Sequence, residues 1–228
     1  MSDQPWKDLK GKSKDWQFRW QNGPPVFEPK DDDELKAIAN EMRLSIVSYD
    51  FGNHPTTFKG EFDKKIEDWN DHVKDAVRIL NSIIETSGGD YNVVYRVMGE
   101  PVGILCVTTG SPECKVDWLV THPGVEGAGG TLMELACDWS QKSGAKGCLT
   151  LMSFSSKSTA AYKAMGFTKP DNDYEGAGTM SLDPASSPVW VFLDTHWKIK
   201  KYAERAYYAT RDKPKPPSKP PPPPPKHN

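Results

Sequence analysis

The sequence predicts an α/β domain in which helices flank a mixed central sheet. Apolar residues alternate with a period of two in several short segments and recur every three or four residues in longer ones, the patterns of strands and amphipathic helices. These segments follow the order strand, two helices, three strands, helix, strand, helix and two further strands. A glycine-rich turn at residues 124–130 opens the helix that follows the three strands.

The N-terminal part predicts one strand and two helices. Trp16–Trp20 alternates large aromatic and polar residues, which is typical of a strand. The acidic cluster Asp31–Asp33 caps a helix of about four turns that ends near Ile46. After a loop at Tyr49–Pro55, apolar residues at spacings of three and four over Phe62–Ile83 predict a long amphipathic helix that packs on the sheet.

The rest of the chain predicts the remaining strands of the sheet. Turns that contain glycine separate these strands, and a short helix is predicted before the last two strands. The predicted strands are Tyr91–Met98, Val102–Thr109, Val116–Thr121, Cys148–Met152, Thr179–Leu182 and Val189–Leu193. A final amphipathic helix is predicted over residues 195–211.

Length and composition favour one folded domain with polar ends. In this chain of 228 residues we expect a disordered N-terminus over residues 1–14, the folded domain over 15–194, the amphipathic helix over 195–211 and a disordered tail over 212–228. The formal net charge of −2 gives no support to a nucleic-acid-binding surface, which is usually strongly basic.

The apolar segments and the cysteines predict the compartment. No apolar stretch approaches the ~18–20 residues that cross a bilayer, and the polar first residues lack the apolar core of a signal peptide. The cysteines have no paired spacing typical of a metal site and favour free thiols over a disulfide or zinc framework; they are Cys106, Cys114, Cys137 and Cys148. We therefore expect a cytoplasmic protein with no membrane attachment and no bound metal.

The tail has nine prolines within residues 213–228, interleaved with lysines. Such a run favours an extended, solvated polyproline helix over any packed structure. Two interpretations are open. The segment is either a passive solubilising tail or a docking signal for an aromatic-lined groove of the SH3 or WW type.

The glycine-rich turn has the residue types that bind phosphates. It reads Gly124-Val125-Glu126-Gly127-Ala128-Gly129-Gly130 and follows the corner His122-Pro123. A helix N-terminus offers unpaired backbone N–H groups and a partial positive charge, and glycine at 127 and 129 would let a pyrophosphate approach the backbone. A simple strand-to-helix connection would look the same.

A second segment supports phosphate binding by the glycine-rich turn. It reads Tyr162-Lys163-Ala164-Met165-Gly166-Phe167. Together the corner, the glycine-rich turn and this segment resemble the GNAT superfamily of acyl-CoA-dependent N-acetyltransferases over residues 91–168. Two positions depart from the family pattern, because Gly124 stands where Arg or Gln is usual and Ser155 where Asn is usual. Glu126 adds a negative charge to a loop that should hold an anion.

The resemblance implies the GNAT fold and acetyl-CoA as co-substrate. It implies that the amides of the turn hold the CoA pyrophosphate, and that the pantetheine arm lies in a slot between splayed strands at Val116–Thr121 and Cys148–Phe154. A backbone N–H near Leu119 or Val120 would bind the developing oxyanion. The residues implied in CoA binding are Leu119, Val120, Thr121, Gly124, Val125, Glu126, Gly127, Ala128, Gly129, Gly130, Ser155 and Tyr162.

Acyl transfer also needs an acid and a base. Tyr162 has the position at which the family places a hydroxyl beside the sulfur, and a phenol with a pKa near ~10 can donate to a thiolate. The alternative is that its ring only packs. Asp117, which should share a strand face with Leu119 and Thr121, and Glu113 in the preceding loop are candidate bases for the amine. Each is equally explained as a solvated carboxylate.

The acceptor is predicted only by class. Two loops that should face one cleft carry carboxylates and aromatic rings that would suit a cationic amine. They are Tyr49, Asp50, Phe51, Asp171, Asp173 and Glu175. His122 and His54 are interpreted as turn and loop residues.

The predicted function is transfer of an acetyl group from acetyl-CoA to a primary amine of a protein or small molecule, by direct attack in a ternary complex. The alternative is a non-catalytic acyl-CoA-binding or adaptor module with a proline-rich docking tail.

Overall fold

The computed structural model describes residues 26–48, 59–97, 99–123, 125, 127–169 and 178–201, and for residues 59–68 only the helical backbone. Some sequence predictions lie outside these residues: the strand at Trp16–Trp20, the loop at Tyr49–Pro55 with His54, the acidic loop at 171–175 and both disordered ends. They stay predictions.

Six strands among the described residues form one mixed sheet, in the spatial order of the chain. Neighbouring strands are antiparallel except for one parallel pair, the fourth and fifth. The strands are β1 (Val26–Phe27), β2 (Tyr91–Val97), β3 (Glu100–Thr108), β4 (Cys114–Thr121), β5 (Leu149–Ser153) and β6 (Gly178–Leu182). The predictions for β2 to β6 are confirmed, with ends that differ by one or two residues.

The described residues also form four helices, and the predicted cap of the first is confirmed. Asp31 Oδ1 accepts a hydrogen bond from the backbone N–H of Glu34 at 2.9 Å. None of the helices described is both long enough and apolar enough to cross a membrane. The helices are α1 (Asp32–Ser48), α2 (Lys59–Thr86), α3 (Ala128–Lys142) and α4 (Ser156–Ala164).

The alternation of side chains along the strands divides the core into two layers, one on each face of the sheet. The cross-strand pair Val94 and Ile104 is buried against α1 and α2, whereas Val93 and Leu105 are buried against α3. We call these the α1/α2 face and the α3 face. The sheet therefore separates α1 and α2 from α3.

A bulge interrupts this alternation in β4. Cys106 pairs with Trp118, but its neighbour Val107 pairs with Val116, so Asp117 is an extra residue in β4 without a partner opposite it in β3. The alternation of side chains before Asp117 therefore does not continue after it, and positions that a regular strand would put on one face lie on opposite faces. The sequence does not reveal this change, because the strand pattern on either side of Asp117 is regular.

The parallel strands β4 and β5 separate soon after they begin to pair. Pairing covers Cys114–Val116 of β4 and Leu149–Leu151 of β5. β4 then continues to Thr121 paired with β3, and β5 continues to Ser153 paired with β6. A gap in the sheet opens between the two segments for which a slot is predicted.

A hairpin occupies the start of the predicted C-terminal helix, and the last two described residues, Lys200 and Lys201, are helical. β7 (Trp190–Leu193) and β8 (His196–Ile199) pair antiparallel in a separate sheet, joined by a two-residue turn with positive φ at both positions. The helix prediction is wrong for residues 196–199, because Trp197 and Ile199 follow a period of two and are both buried. Residues from 202 onward lie outside the described part.

Two buried carboxylates of α3 hold this hairpin. Glu134 Oε1 accepts a hydrogen bond from the backbone N–H of Ile199 at 2.9 Å, and Asp138 Oδ1 accepts one from Trp197 at 2.7 Å. The second oxygen of Glu134 lies 3.3 Å from Lys198 Nζ. Burial raises the pKa of Glu134 to about 7, although Lys198 opposes the shift.

The pKa of Glu134 predicts a pH dependence of stability. Its folded value lies above the ordinary 4.5, so the folded state binds more protons between pH 4.5 and about 7, and the free energy of unfolding falls as pH rises through that window. The full shift corresponds to roughly 3 kcal/mol. We expect Glu134→Gln to remove this fall, measured by urea unfolding from pH 4 to 8.

The pH slope of the variant is subtracted from that of the wild-type protein, because buried His122 changes the free energy of unfolding in the opposite direction in both. Burial lowers the pKa of His122 to about 4, so its contribution to stability rises with pH. Glu85→Gln, at an exposed position of α2, is the matched control. An unchanged pH slope in Glu134→Gln would contradict the assignment.

Candidate active site

The gap between β4 and β5 opens into a cavity of about 370 Å³. Three parts of the chain line it: the end of β4 with the corner that follows, the N-terminal part of α4 with the residues just before it, and one face of α2. The predicted CoA-binding residues in this lining are Leu119, Val120, Thr121, Val125, Ser155 and Tyr162.

The N-terminus of α3 can bind an anion. Gly127 is its N-cap residue, in a left-handed conformation with φ 83° that glycine adopts without strain. A Cβ added at Gly127 would have no atom within 4 Å, so the space beside it is open. No side chain of the described residues accepts a hydrogen bond from the N–H groups of Ala128, Gly129 or Gly130.

Gly129 has less open space beside it than Gly127. A Cβ added at Gly129 would lie 3.8 Å from Thr121 Cγ2 and 3.8 Å from Met165 Cε, which are ordinary contacts. Packing in the described structure therefore does not require glycine at 129, and its predicted role beside the pyrophosphate stays a prediction. Gly124 and Glu126 lie outside the described residues.

The N-terminus of α4, in contrast, is capped by side chains. Ser155 Oγ accepts a hydrogen bond from the N–H of Ser158 at 3.1 Å, and Ser158 Oγ accepts one from the N–H of Ser155 at 3.0 Å. The Ser155 hydroxyl, which stands at the family's Asn position, thus borders the cavity while it holds the start of α4.

Tyr162 of α4 lines the cavity, and the residues that follow α4 pack against its ring. Gly166, with φ 89°, ends the helix, and Phe167 folds back so that its ring centroid lies 5.7 Å from that of Tyr162. A Cβ at Gly166 would lie 2.4 Å from Ser187 Oγ. Burial raises the pKa of Tyr162 to about 12, so the phenol keeps its proton at neutral pH.

The backbone of β4 supplies a second polar surface. Leu119 and Val120 pair with β3 along one edge of the strand, and both line the cavity. The other edge has no strand beside it beyond Val116, where the pairing with β5 ends. Backbone groups on that edge are available to a ligand in the gap.

The structure does not bring Asp117 to the cavity. Because of the bulge, Asp117 lies with Thr108 and Lys115 rather than on one face with Leu119 and Thr121. Its Oδ2 accepts a hydrogen bond from Thr108 Oγ1 at 2.5 Å, and its Oδ1 lies 2.8 Å from Lys115 Nζ. The predicted strand face is wrong, and both carboxylate oxygens have other partners.

Glu113 is also remote from the cavity. It precedes β4, and its Oε2 accepts a hydrogen bond from Ser181 Oγ of β6 at 3.3 Å. Six residues of extended strand, about 20 Å, separate it from Leu119 at the other end of β4. Neither predicted base therefore lies in the cavity.

Four ionisable residues in the cavity lining were missed by the sequence reasoning: His72, Asp75, Arg78 and Lys157. His72 and Asp75 lie on the face of α2 that also carries Ala76 and Ile79. The apolar spacing of α2 predicts packing on the sheet, and polar residues beside an apolar stripe are ordinary at the edge of such a helix. Their position one turn apart on one face is the signal that could have found them.

Comparisons with known proteins give similarity to solved structures alone. No protein-family model matches the chain, and no curated protein matches it significantly. The chain is similar to a nourseothricin acetyltransferase structure, with 27% identity over 40% of this chain and 64% of that one, and a TM-score of 0.35. That coverage is less than two thirds of the other protein's length.

Two other similar structures are covered almost completely. They are the ribosomal-protein-S18-alanine N-acetyltransferase from Escherichia coli (17% identity, 70% of this chain, 93% of that one, TM-score 0.43) and a PaiA N-acetyltransferase from Thermoplasma acidophilum in complex with coenzyme A (12%, 68%, 97%, 0.39).

The chain's own topology assigns the fold. A mixed sheet in chain order, a parallel pair that separates after three residues and a glycine N-cap beside the gap are the arrangement that the motifs imply. This chain has the fold of the GNAT N-acetyltransferases. The fold predicted from the resemblance is confirmed.

The geometry at Gly127 gives a test of anion binding. We expect Gly127→Val to weaken CoA binding at least tenfold, about 1.4 kcal/mol, because the side chain would fill the open space beside the first amides of α3. Isothermal titration with CoA measures the change.

Gly144→Val is the matched control for the backbone strain of that substitution. Gly144, beyond the other end of α3, has φ 91° and likewise no atom within 4 Å of an added Cβ. The control should lose similar stability and bind CoA normally. Equal loss of CoA binding in both variants would contradict the placement.

Proposed function

We propose that this protein transfers an acetyl group from acetyl-CoA to a primary amine by direct attack in a ternary complex. The single observation that supports this most is the meeting of the open edge of β4 and the Tyr162 side chain at one cavity, with the N-cap residue of α3 lying two residues after Val125, which also lines that cavity. Each matches a separate requirement of acyl transfer from a thioester.

Binding of the co-substrate falls to α3 and β4. The amides of Ala128, Gly129 and Gly130, together with the helix dipole, would hold the pyrophosphate. The gap beyond Val116 would receive the pantetheine arm. A backbone N–H of the open β4 edge would stabilise negative charge on the carbonyl oxygen, which is the function of an oxyanion-binding donor.

Tyr162 would supply the proton to the leaving group. When the amine nitrogen bonds to the carbonyl carbon, the carbon–sulfur bond breaks and the thiolate needs a proton. A phenol whose pKa is about 12 remains protonated in the resting enzyme and can donate to a thiolate that forms beside it. The products are an amide and free CoA.

The proposed cellular location of the protein is the cytoplasm. The four cysteines are free thiols in the described structure, which suits a reducing compartment. The proline-rich segment lies outside the described residues, and its SH3 or WW partner stays a prediction.

One observation favours a second function, a non-catalytic acyl-CoA-binding or adaptor module. The Ser155 hydroxyl holds the α4 cap, and both predicted carboxylate bases lie away from the cavity. Such a protein would bind acyl-CoA without turning it over.

The two functions are separated by one experiment with two readouts. The purified protein is incubated with radiolabelled acetyl-CoA in a cell lysate and with defined amines, while CoA binding is titrated in parallel. Transfer of label to an amine supports the enzyme. Tight binding of CoA without transfer to any amine supports the module, and absence of both overturns the proposal.

Tyr162→Phe tests the acid directly, because it keeps the ring and removes the hydroxyl. General acid catalysis typically contributes ~10²–10⁴ in rate, so kcat should fall by about that factor while CoA affinity stays nearly constant. Tyr91→Phe is the matched control, since Tyr91 stacks on Trp139 and does not line the cavity. A fall in kcat of less than about threefold would remove Tyr162 from this role.

A further inference from the structure

The cavity has an ionisable wall that the proposed reaction does not yet use. His72 and Asp75 of α2 line it from the α1/α2 face, whereas α3 lies on the other face of the sheet. A thioester in the gap, with its pyrophosphate at α3, would leave the α2 side open to a second substrate. The two substrates can therefore approach from opposite faces.

Two contacts between α2 and α4 frame this side of the cavity. Lys157 Nζ lies 3.0 Å from Asp71 Oδ2, and the guanidinium carbon of Arg78 lies 4.5 Å from the centroid of the Phe154 ring. His72 and Asp75 lie between these contacts along α2. The seven residue steps of helix from 71 to 78 rise about 10 Å.

We propose that His72 takes the proton of the acceptor amine and that Asp75 binds its positive charge, so that the acceptor is an alkylammonium group at the end of an extended chain. This inference rests on the proposed acetyl transfer and names its acceptor class. His72 is exposed and the Asp75 side chain is about half exposed, so the chain that carries the ammonium can extend from the cavity into solvent.

The residues around His72 suit this role. From α2, Asp75 and Arg78 line the same cavity, and Asp71 beside His72 pairs with Lys157; from α4, Lys157 and Tyr162 line it; and His122 lines it after the end of β4. His72 is exposed, so a proton that it accepts can pass to solvent. A neutral imidazole has one ring nitrogen that can accept a proton, which suits a base.

Asp75 has capacity to bind a cation. Its Oδ1 lies 3.9 Å from Arg78 Nη2, and both side chains are about half exposed, so this pair contributes little. The Arg78 guanidinium is held over the Phe154 ring instead. An incoming ammonium can therefore contact the Asp75 carboxylate without disrupting a buried ion pair.

The proton balance of the reaction explains why a base is needed for this class. An alkylamine with a pKa near ~10.4 arrives as the ammonium and must lose one proton before attack and a second after the C–N bond forms. His72 accepts the first proton and passes it to water, and the second leaves the acidic adduct directly to water; Tyr162 protonates the thiolate and regains its proton from water. An arylamine such as aniline is already neutral at pH 7 and needs neither His72 nor Asp75 before attack.

The test compares 1,5-diaminopentane with aniline as acceptors and measures CoA thiol release from pH 6 to 10. We expect His72→Gln to lower kcat/KM for the diamine about a hundredfold at pH 7 and to change that for aniline less than threefold. The loss should shrink toward pH 10, where much of the diamine is neutral in solution.

Asp75→Asn should raise KM for the diamine about two- to fivefold, leave kcat nearly constant and leave aniline unaffected. Lys74→Gln, at an exposed position of α2 outside the cavity lining, is the matched control for both variants. A peptide with blocked ends and one lysine, and a lysine-free peptide with a free N-terminus, distinguish a protein acceptor from a small amine.

Two outcomes overturn the inference while the proposed function stands. One is an equal loss for aniline and diamine in His72→Gln, which indicates a structural role; the other is normal turnover of both in both variants. If the wild-type protein binds CoA but acetylates none of these amines, the proposed function itself fails. The CoA titration distinguishes this case from a misfolded protein.

Discussion

The separation of β4 from β5 after three parallel pairs is the constraint on which the whole candidate site depends. A strand edge without a neighbour leaves backbone N–H and C=O groups that need other partners. Along β4 those groups border the cavity, at Leu119 and Val120. Pairing over the full length of β4 would fill the gap, and an unbroken sheet would lie between α2 and α3.

The gap lets the two faces of the sheet take different tasks. The α3 face presents amides at Gly129 and its neighbours, which suit an anion, and the α1/α2 face presents His72 and Asp75, which suit a cation. α4 contributes Tyr162 between them. The groups that suit an anion belong to α3, and those that suit a cation belong to α2. An anionic and a cationic substrate therefore do not compete for one surface.

Much of the fold could be predicted from periodicity and from two motifs, because each reports a local backbone requirement. Gly127 and Gly166 both have positive φ, and each ends or begins a helix where the motif implies. The bulge at Asp117 could not be predicted, because one extra residue changes the face of a side chain without changing the apolar pattern.

Other errors came from contacts between segments distant in the chain. Trp197 and Ile199 fit a helix as well as a strand when read alone; their strand state depends on the α3 carboxylates that accept their N–H groups. The positions of His72 and Asp75 at the cavity likewise depend on how α2 crosses the sheet. Local sequence carries no record of either arrangement.

The hairpin has a consequence for where the protein can be cut. Trp197 and Ile199 belong to the same buried cluster as Leu132 and Leu149, so β8 is part of the main core. A chain that stops before β8 would leave the buried carboxylates of Glu134 and Asp138 without their amide donors, and each such unsatisfied group costs about 1–3 kcal/mol. A truncation that removes only the proline-rich tail therefore has to end beyond Ile199.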